Sequence, residues 1–316
     1  MADEKTPETK PSPKDSPRKK SKLKKYVVRT FWFLFLTPII GFICLMLGIA
    51  WFSDLPDVEE LQNPESNQAT VVYSSDGKEL GRFYSENRVN VSYEQIDQDV
   101  IDALIATEDE RFKEHSGIDA RSLVRAIVKM GKGGGASTIT QQLAKMQFHQ
   151  EEAQSATFFE RVFQKLKEWI IAIRLERLYT KEEILALYLN KFDFTYNAVG
   201  IKSSAKVYFS TTPDSLKTEE AAMLVGMCQN PSRWNPIRFP ENALKRRNIV
   251  LFQMQKNGYL TRVEYDSLKE IPLKTRFNPE THNEGLAPYF REFLRDNYMK
   301  KWCAEHLKPN GKPYDL

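Results

Sequence analysis

Between Leu104 and Lys145 the chain gathers the residue types from which chemistry is usually made. The pattern Glu108-Asp109-x-x-Phe112-x-x-His115-x-Gly117 is followed by Gly134-Gly135-Ala136-Ser137-Thr138-Ile139-Thr140-Gln141-Gln142-x-x-Lys145. Val100, Ile101, Leu104 and Ile105 precede it at helical spacing, so Glu108 and Asp109 fall at or just beyond a buried helical face. A carboxylate beside apolar surface is partly desolvated, which suits a general acid or base. Taken by itself, the triplet Glu108, Asp109, Glu110 reads as the solvated end of a helix. The glycine run Gly131 to Gly135, with Lys132 inside it, opens into a second helix near Ser137-Thr138. Small residues there leave backbone N–H groups free to meet an anion, and glycines permit a mobile lid. No Gly-Lys-Ser/Thr follows, so this is not a Walker A loop.

A second carboxylate lies farther on. The predicted helix Phe158 to Leu178 places Phe159, Val162, Leu166, Trp169, Ile170 and Ile173 on one apolar face. Arg161, Lys165 and Glu168 are spaced i, i+4, i+7 on another side. Most such triplets are solvated faces with helical ion pairs, and only the neighbouring motifs argue for more.

Stepping outward, 316 residues with 41% hydrophobic content allow one large domain plus appendages. The formal net charge is +4. Residues 1–30 carry about +6 of it and the remainder about −2, so the basicity is local and no nucleic-acid partner is expected. The Lys-, Pro- and Ser-rich start reads as a disordered basic cytoplasmic tail. Phe31 to Phe52 contains no charge and matches the roughly 20 residues of a membrane-spanning helix. The basic cluster before it predicts a cytoplasmic amino terminus, and no small-x-small cleavage pattern follows. Residues 53–92 form a stalk with a β-hairpin from Ala69 to Tyr84 around Asp76-Gly77, which should pair with a further element because one hairpin is marginal alone. From about Tyr93 to 256 the chain reads as successive amphipathic helices, and 257–316 as a linker. Cys44, Cys228 and Cys303 show neither CxxC spacing nor a neighbouring His cluster, so no zinc site or disulfide framework is indicated.

With these motifs the chain resembles the peptidoglycan glycosyltransferases of glycosyltransferase family 51. These are the lysozyme-like domains of class A penicillin-binding proteins and of monofunctional transglycosylases. Lys165-Leu166-Lys167-Glu168 resembles the family's Arg-Lys-x-x-Glu motif. Lys181-x-x-Ile184-Leu185-x-x-Tyr188-Leu189-Asn190 resembles the fourth motif, and Gly200 to Phe209 continues the pattern. Gln229-Asn230-Pro231-Ser232 with Asn235-Pro236 resembles the closing turn. The resemblance covers roughly residues 85–255. Two positions depart from it: Gln164 stands where arginine is common, with Arg161 one turn earlier as a substitute, and Phe194-Thr195-Tyr196 replaces the usual Phe-Gly.

The resemblance implies a mainly α, lysozyme-like glycosyltransferase domain behind a single N-terminal transmembrane helix, with a short β-hairpin. It implies polymerisation of lipid II into glycan strands, with inversion and release of undecaprenyl pyrophosphate. Glu108 would be the general base, and Lys145, Lys165, Lys167 and Arg161 would meet the pyrophosphate. Glu168 would orient those cations or hold a divalent ion. Ser137 and Gln142 would contact the donor, while Asp109 and His115 brace the loop. No covalently bound cofactor is implied; a divalent cation, magnesium or manganese, would accompany the pyrophosphate. The expected partners are lipid II, the growing glycan strand, the membrane and other cell-wall synthesis proteins. The expected location is the bacterial cytoplasmic membrane, single-pass, with the catalytic domain outside. Two rival readings are a lysozyme-like hydrolase, which has no pyrophosphate to bind and little use for the cations, and an inactive membrane-anchored scaffold. Residues 257–316 would lead to a transpeptidase domain that is absent. Ser203-x-x-Lys206 matches an acylation pattern by chance, since no Lys-Thr-Gly follows it.

Overall fold

The structure, a computed structural model, describes residues 18–53, 55–56, 61, 70–83, 87–88, 90–129, 135–148, 157–279, 288–307 and 314. Outside these lie residues 1–17 of the expected tail, parts of the stalk, and the start of the glycine run with Lys132.

Two compact units result, residues 1–54 and 55–316. The first is the helix α1, Arg18–Phe52, which contains the expected span and Pro38 within it. Its stretch Lys24–Phe52, 29 residues that include an 18-residue window of mean hydropathy 2.5, is long and apolar enough to cross a bilayer. The helix starts well before Phe31 because lysine and arginine are good helix formers and continue the turn pattern.

In the second unit β1, Thr70–Tyr73, pairs antiparallel with β2, Glu79–Phe83. Gly77 at φ 76° supplies the left-handed residue of the turn, and Ser74 N–H donates to the Lys78 carbonyl at 2.8 Å. Among the described residues the hairpin is a sheet of two strands, and the further element that its β2 strand meets is a helix of the 257–316 segment, Pro288–Leu294. A second small sheet was not foreseen: β3, Asn87–Arg88, lies parallel to β4, Ala198–Val199. Two-residue strands are too short for a sequence pattern to announce.

The body is helical. It runs through α2 (Gln98–Glu108), α3 (Ala120–Val128), α4 (Ile139–Phe148), α5 (Phe158–Leu178), α6 (Lys181–Lys191), α7 (Ile201–Phe209), α8 (Thr218–Met227), α9 (Pro240–Lys256) and α10 (Arg262–Leu268). After an extended segment come α11 (Pro288–Leu294) and α12 (Lys300–Glu305). The predicted limits of α5 are met, and its start is fixed by a capping box between Thr157 and Glu160; Thr180 with Glu183 does the same for α6. One packing layer sets α2 against α8 and α9, and another sets α4 against α5 and α6. The apolar stripe of α2 (Val100, Ile101, Leu104, Ile105) is wholly buried, as its spacing predicts, so the carboxyl end of α2 is held rigidly.

Two close approaches tie the layers. The Asn190 side chain accepts from Val91 N–H at 3.0 Å and donates to its carbonyl at 2.7 Å, in a buried pairing of α6 with the approach to α2. At Gly117, φ is 89° and an added Cβ would stand 2.9 Å from the carbonyl carbon and oxygen of Ala172 on α5. The segment that departs from the family pattern forms a left-handed turn: Thr195, Tyr196 and Asn197 have φ of 67°, 54° and 59°. Such backbone costs roughly 1–2 kcal/mol per residue without glycine. The Thr195 hydroxyl meets Tyr208 Oη and Asn235 Nδ2, both at 3.0 Å, and these bonds hold the turn in place.

Gly117→Ala is expected to destabilise the helical unit by about 3 kcal/mol, combining left-handed strain with overpacking against α5. Chemical denaturation in detergent measures this, and an unshifted midpoint would refute it.

Candidate active site

A cleft of about 760 Å³ opens between the two helix layers. Glu108 ends α2 inside it, and from there the chain turns sharply, with Asp109 at φ −157°, ψ 76°. The two neighbouring carboxylates are thereby sent in different directions. Asp109 turns inward, where His115 Nε2 lies 3.0 and 3.1 Å from its two oxygens and Ile139 N–H, at the start of α4, donates at 3.1 Å. A carboxylate at a helix amino terminus also meets the positive end of the helix dipole. Thr138 Oγ1 and Gln141 Nε2 both donate to the Gly117 carbonyl, at 2.8 and 3.0 Å, and complete the seam between the loop and α4. The expected bracing role of Asp109 and His115 has this geometry.

Glu108 turns into the cleft. Gln142 Nε2 donates to its Oε2 at 3.0 Å, and Arg246 Nη2 of α9 stands 3.5 Å from Oε1. Both charged side chains are largely enclosed, 14% exposed for Glu108 and 11% for Arg246. Burial lowers the Arg246 guanidinium from its ordinary range, and the charge of Glu108 acts against that. Cys228 also borders the cleft; burial pushes its thiol far up, so it is a neutral wall and not a nucleophile.

Lys165 Nζ donates to Ser137 Oγ at 2.9 Å and to Glu168 Oε2 at 2.7 Å, joining α5 to the approach of α4. Lys145 lines the same wall. On the other side Glu110 is flanked by Arg111, Arg125 and Lys256 at 3.0, 3.3 and 3.4 Å. Cations therefore stand on both sides of Glu108.

The structure brings Glu108, Ser137, Gln142, Lys145, Lys165 and Glu168 to one cleft. Arg161 and Lys167 are not among its lining residues. Lys167, two residues past Lys165, is turned about 200° around the helix, and its Nζ sits 5.3 Å from the Phe163 ring centroid. Arg161 shares the face of Lys165 but lies one turn outward and exposed, beyond the cleft wall. Arg246, Arg125 and Lys256 were missed by sequence reasoning. A signal existed for Arg246: it falls on the buried stripe of α9 with Ala243, Val250 and Met254, where a charge needs a partner. Among the described residues no three His, Cys, Asp or Glu side chains converge on a metal position. Glu168, the one acid expected to hold a divalent ion, is engaged by Lys165, so the residues present do not build a cation cage.

The model of the Transglycosylase family matches residues 76–255, more than half of the chain. Penicillin-binding protein 1A of Vibrio cholerae is 35% identical over 285 residues, which cover 86% of this chain and 34% of that protein. For Penicillin-binding protein 1A of Escherichia coli the figures are 35% over 277 residues, 84% and 32%. Penicillin-binding protein 1A/1B of Bacillus subtilis is 38% identical over 278 residues, 84% of this chain and 28% of that one. The chain spans about a third of the length of these curated relatives. The crystal structure of Penicillin-Binding Protein 1A from Haemophilus influenzae aligns at a TM-score of 0.42 and 23% identity over 75% of this chain and 25% of that one, too loosely to bear on the assignment.

Asp119, which accepts from Arg121 and Ser122 N–H at the start of α3 and from Arg111 at 2.6 Å, yields a pH prediction. Burial pushes its pKa up, but bonds from Ser122 and Arg111 outweigh that and hold it at about 2, against an ordinary 3.8. A carboxyl depressed on folding stabilises above its unfolded value and loses that contribution as pH falls through the folded one. Wild type should therefore exceed Asp119→Asn by about 2 kcal/mol above pH ~4, with the gap closing toward pH ~2. Unfolding free energies measured across that window test it; a constant gap contradicts it.

Proposed function

This chain belongs to the transglycosylase family, and on that premise we propose that it is the peptidoglycan glycosyltransferase part of a class A penicillin-binding protein, acting in cell-wall synthesis. Its substrate is lipid II, which it joins into glycan strands. The observation that carries this reading is the placement of Glu108, an enclosed carboxylate facing a cleft with cations on both sides.

The acceptor sugar's 4-hydroxyl gives its proton to Glu108 while its oxygen bonds to the anomeric carbon of the donor. The bond from that carbon to the pyrophosphate oxygen breaks on the opposite face, so the configuration inverts and undecaprenyl pyrophosphate leaves. Charge growing on that oxygen is met by Lys145 and by Lys165, whose ammonium is already held in a partly enclosed site and needs no reorganisation at the moment of transfer. Ser137 and Glu168 hold the Lys165 ammonium between them, which fixes its direction. The protein's own cations supply countercharge to the leaving group.

A hydrolase would leave Glu168 free to serve as the second catalytic carboxylate. Its 2.7 Å bond to Lys165 favours transfer instead. The scaffold reading is disfavoured by Glu108 facing a cleft that Lys145 and Lys165 also line. Helix α1 serves as a single-pass anchor, with the basic amino terminus in the cytoplasm and the helical unit outside. Phe158 and Phe159, 74% and 81% exposed at the start of α5, suit contact with the lipid interface from which such a substrate comes.

With labelled lipid II and products resolved by size, Glu108→Gln should lower polymerisation by about 10²- to 10⁴-fold in a protein that melts like wild type. Near-normal strand formation by that variant would sink the assignment of the base, and shortening of pre-formed glycan by wild type would favour the hydrolase. Lys165→Ala and Glu168→Gln should each lower kcat by about 100-fold. Because they act as one unit, the double variant should be little worse than either. Fully multiplicative losses would show that the two work separately.

A further inference from the structure

Gln142 is engaged at both ends of its amide. Its Nε2 donates to Glu108 Oε2 at 3.0 Å, and its Oε1 accepts from Tyr188 Oη at 3.0 Å. An amide in this position could face a carboxylate with either end, and the two ends have opposite effects. The NH2 favours the carboxylate, whereas the carbonyl favours the protonated acid. What decides between them is Tyr188. Its side chain is wholly buried on α6, its ring stacks on Phe192 with centroids 6.0 Å apart, and burial pushes its pKa well above the ordinary 10, so it stays a hydroxyl and a donor. A hydroxyl proton aimed at Gln142 holds the carbonyl on its own side.

We propose that Tyr188 is a positioning residue for the transfer reaction: acting through Gln142, it makes certain that Glu108 is faced by a hydrogen-bond donor and not by an acceptor. The inference rests on Glu108 being the base. The other groups facing Glu108 do not set the amide. Arg246 approaches Oε1, the opposite carboxylate oxygen, from α9. The Cys228 thiol, beyond α8, lies against Tyr188 and is neutral. Asp109 is turned away onto His115, while Glu110, Lys145, Lys165 and Glu168 line the cleft around it. Removing the Tyr188 hydroxyl frees the Gln142 amide to turn its carbonyl toward Glu108, and the reaction needs the unprotonated base. Activity should then fail at a higher pH on the acidic side.

The test is the pH dependence of kcat/KM for the full chain in detergent with labelled lipid II, comparing wild type, Tyr188→Phe, Gln142→Met and the double variant. Tyr188→Phe keeps the ring and its packing. Its acidic limb should move up by about one pH unit, with the alkaline limb in place, KM within about two-fold, and a loss of up to about ten-fold on the acidic side that shrinks toward the plateau. The double variant should match Gln142→Met. An unmoved acidic limb in folded Tyr188→Phe, or a Tyr188→Phe loss that persists in full without Gln142, overturns the proposal. If Tyr188→Phe does not fold, Gln142→Met decides: the same upward displacement supports the relay and a wild-type limb overturns it. Wild type that makes no glycan, or Glu108→Gln that makes it normally, overturns the functional reading and this inference together. An active wild type with an unchanged Tyr188→Phe profile overturns this inference alone.

Discussion

The carboxylate of Asp109, 6% exposed, holds in one place the turn that carries Glu108 and the helix that carries Gln142. An ion so enclosed is costly unless its lone pairs are satisfied. Its partners come from two separate segments, the His115 ring and the first amide of α4. Any shift of the loop against the helix would strip one partner and leave a buried charge, so register is enforced by the penalty for losing it. A second enclosed pair works from the far side. Lys181 Nζ bonds to the His115 carbonyl at 2.7 Å and to Glu176 at 2.8 Å, and stands 4.1 Å from the Phe112 ring centroid. Glu176 also accepts from Thr140 of α4 at 2.6 Å. The loop between α2 and α3 is thus clamped by α4 above and by α5 and α6 behind.

Electrostatically the cleft is prepared and not merely basic. Several of its cations are held by an acid of the protein: Lys165 by Glu168, Arg125 and Lys256 by Glu110, Arg246 by Glu108. The acids fix where the positive charges stand before any ligand arrives, and an anionic ligand then meets donors already oriented. Arg247, the neighbour of Arg246 on α9, is turned to structure instead, its Nη2 donating to the Lys269 carbonyl at 3.1 Å at the end of α10. Adjacent arginines are divided between site and scaffold by the helical period alone.

That division shows what the amino-acid sequence could and could not disclose. Features set by neighbours in the chain were readable: the apolar span, the hairpin around Asp76-Gly77, the limits of Phe158–Leu178, and the motif residues that meet in the cleft. Features set by distant contacts were not. Arg246 lies on a helix whose pattern reads as packing, and only its arrival beside Glu108 reveals its use. The parallel pairing of Asn87–Arg88 with Ala198–Val199 and the left-handed turn at Thr195–Asn197 depend on partners far along the chain. The spacing of Arg161, Lys165 and Glu168 showed which side of the helix they share. It could not show where along that side the cleft wall ends, and Arg161 lies past it.

The contact between Glu108 and Arg246 joins positions 138 residues apart. A polypeptide is made from its amino end, so the acid and its motif neighbours emerge long before the guanidinium that closes over them. Until α9 is finished and docked on α2 and α8, the nascent domain carries the Glu108 carboxylate without its neighbouring guanidinium. Completion of the cleft therefore belongs to the last part of the domain to be synthesised, and the reason is built into the order of its helices.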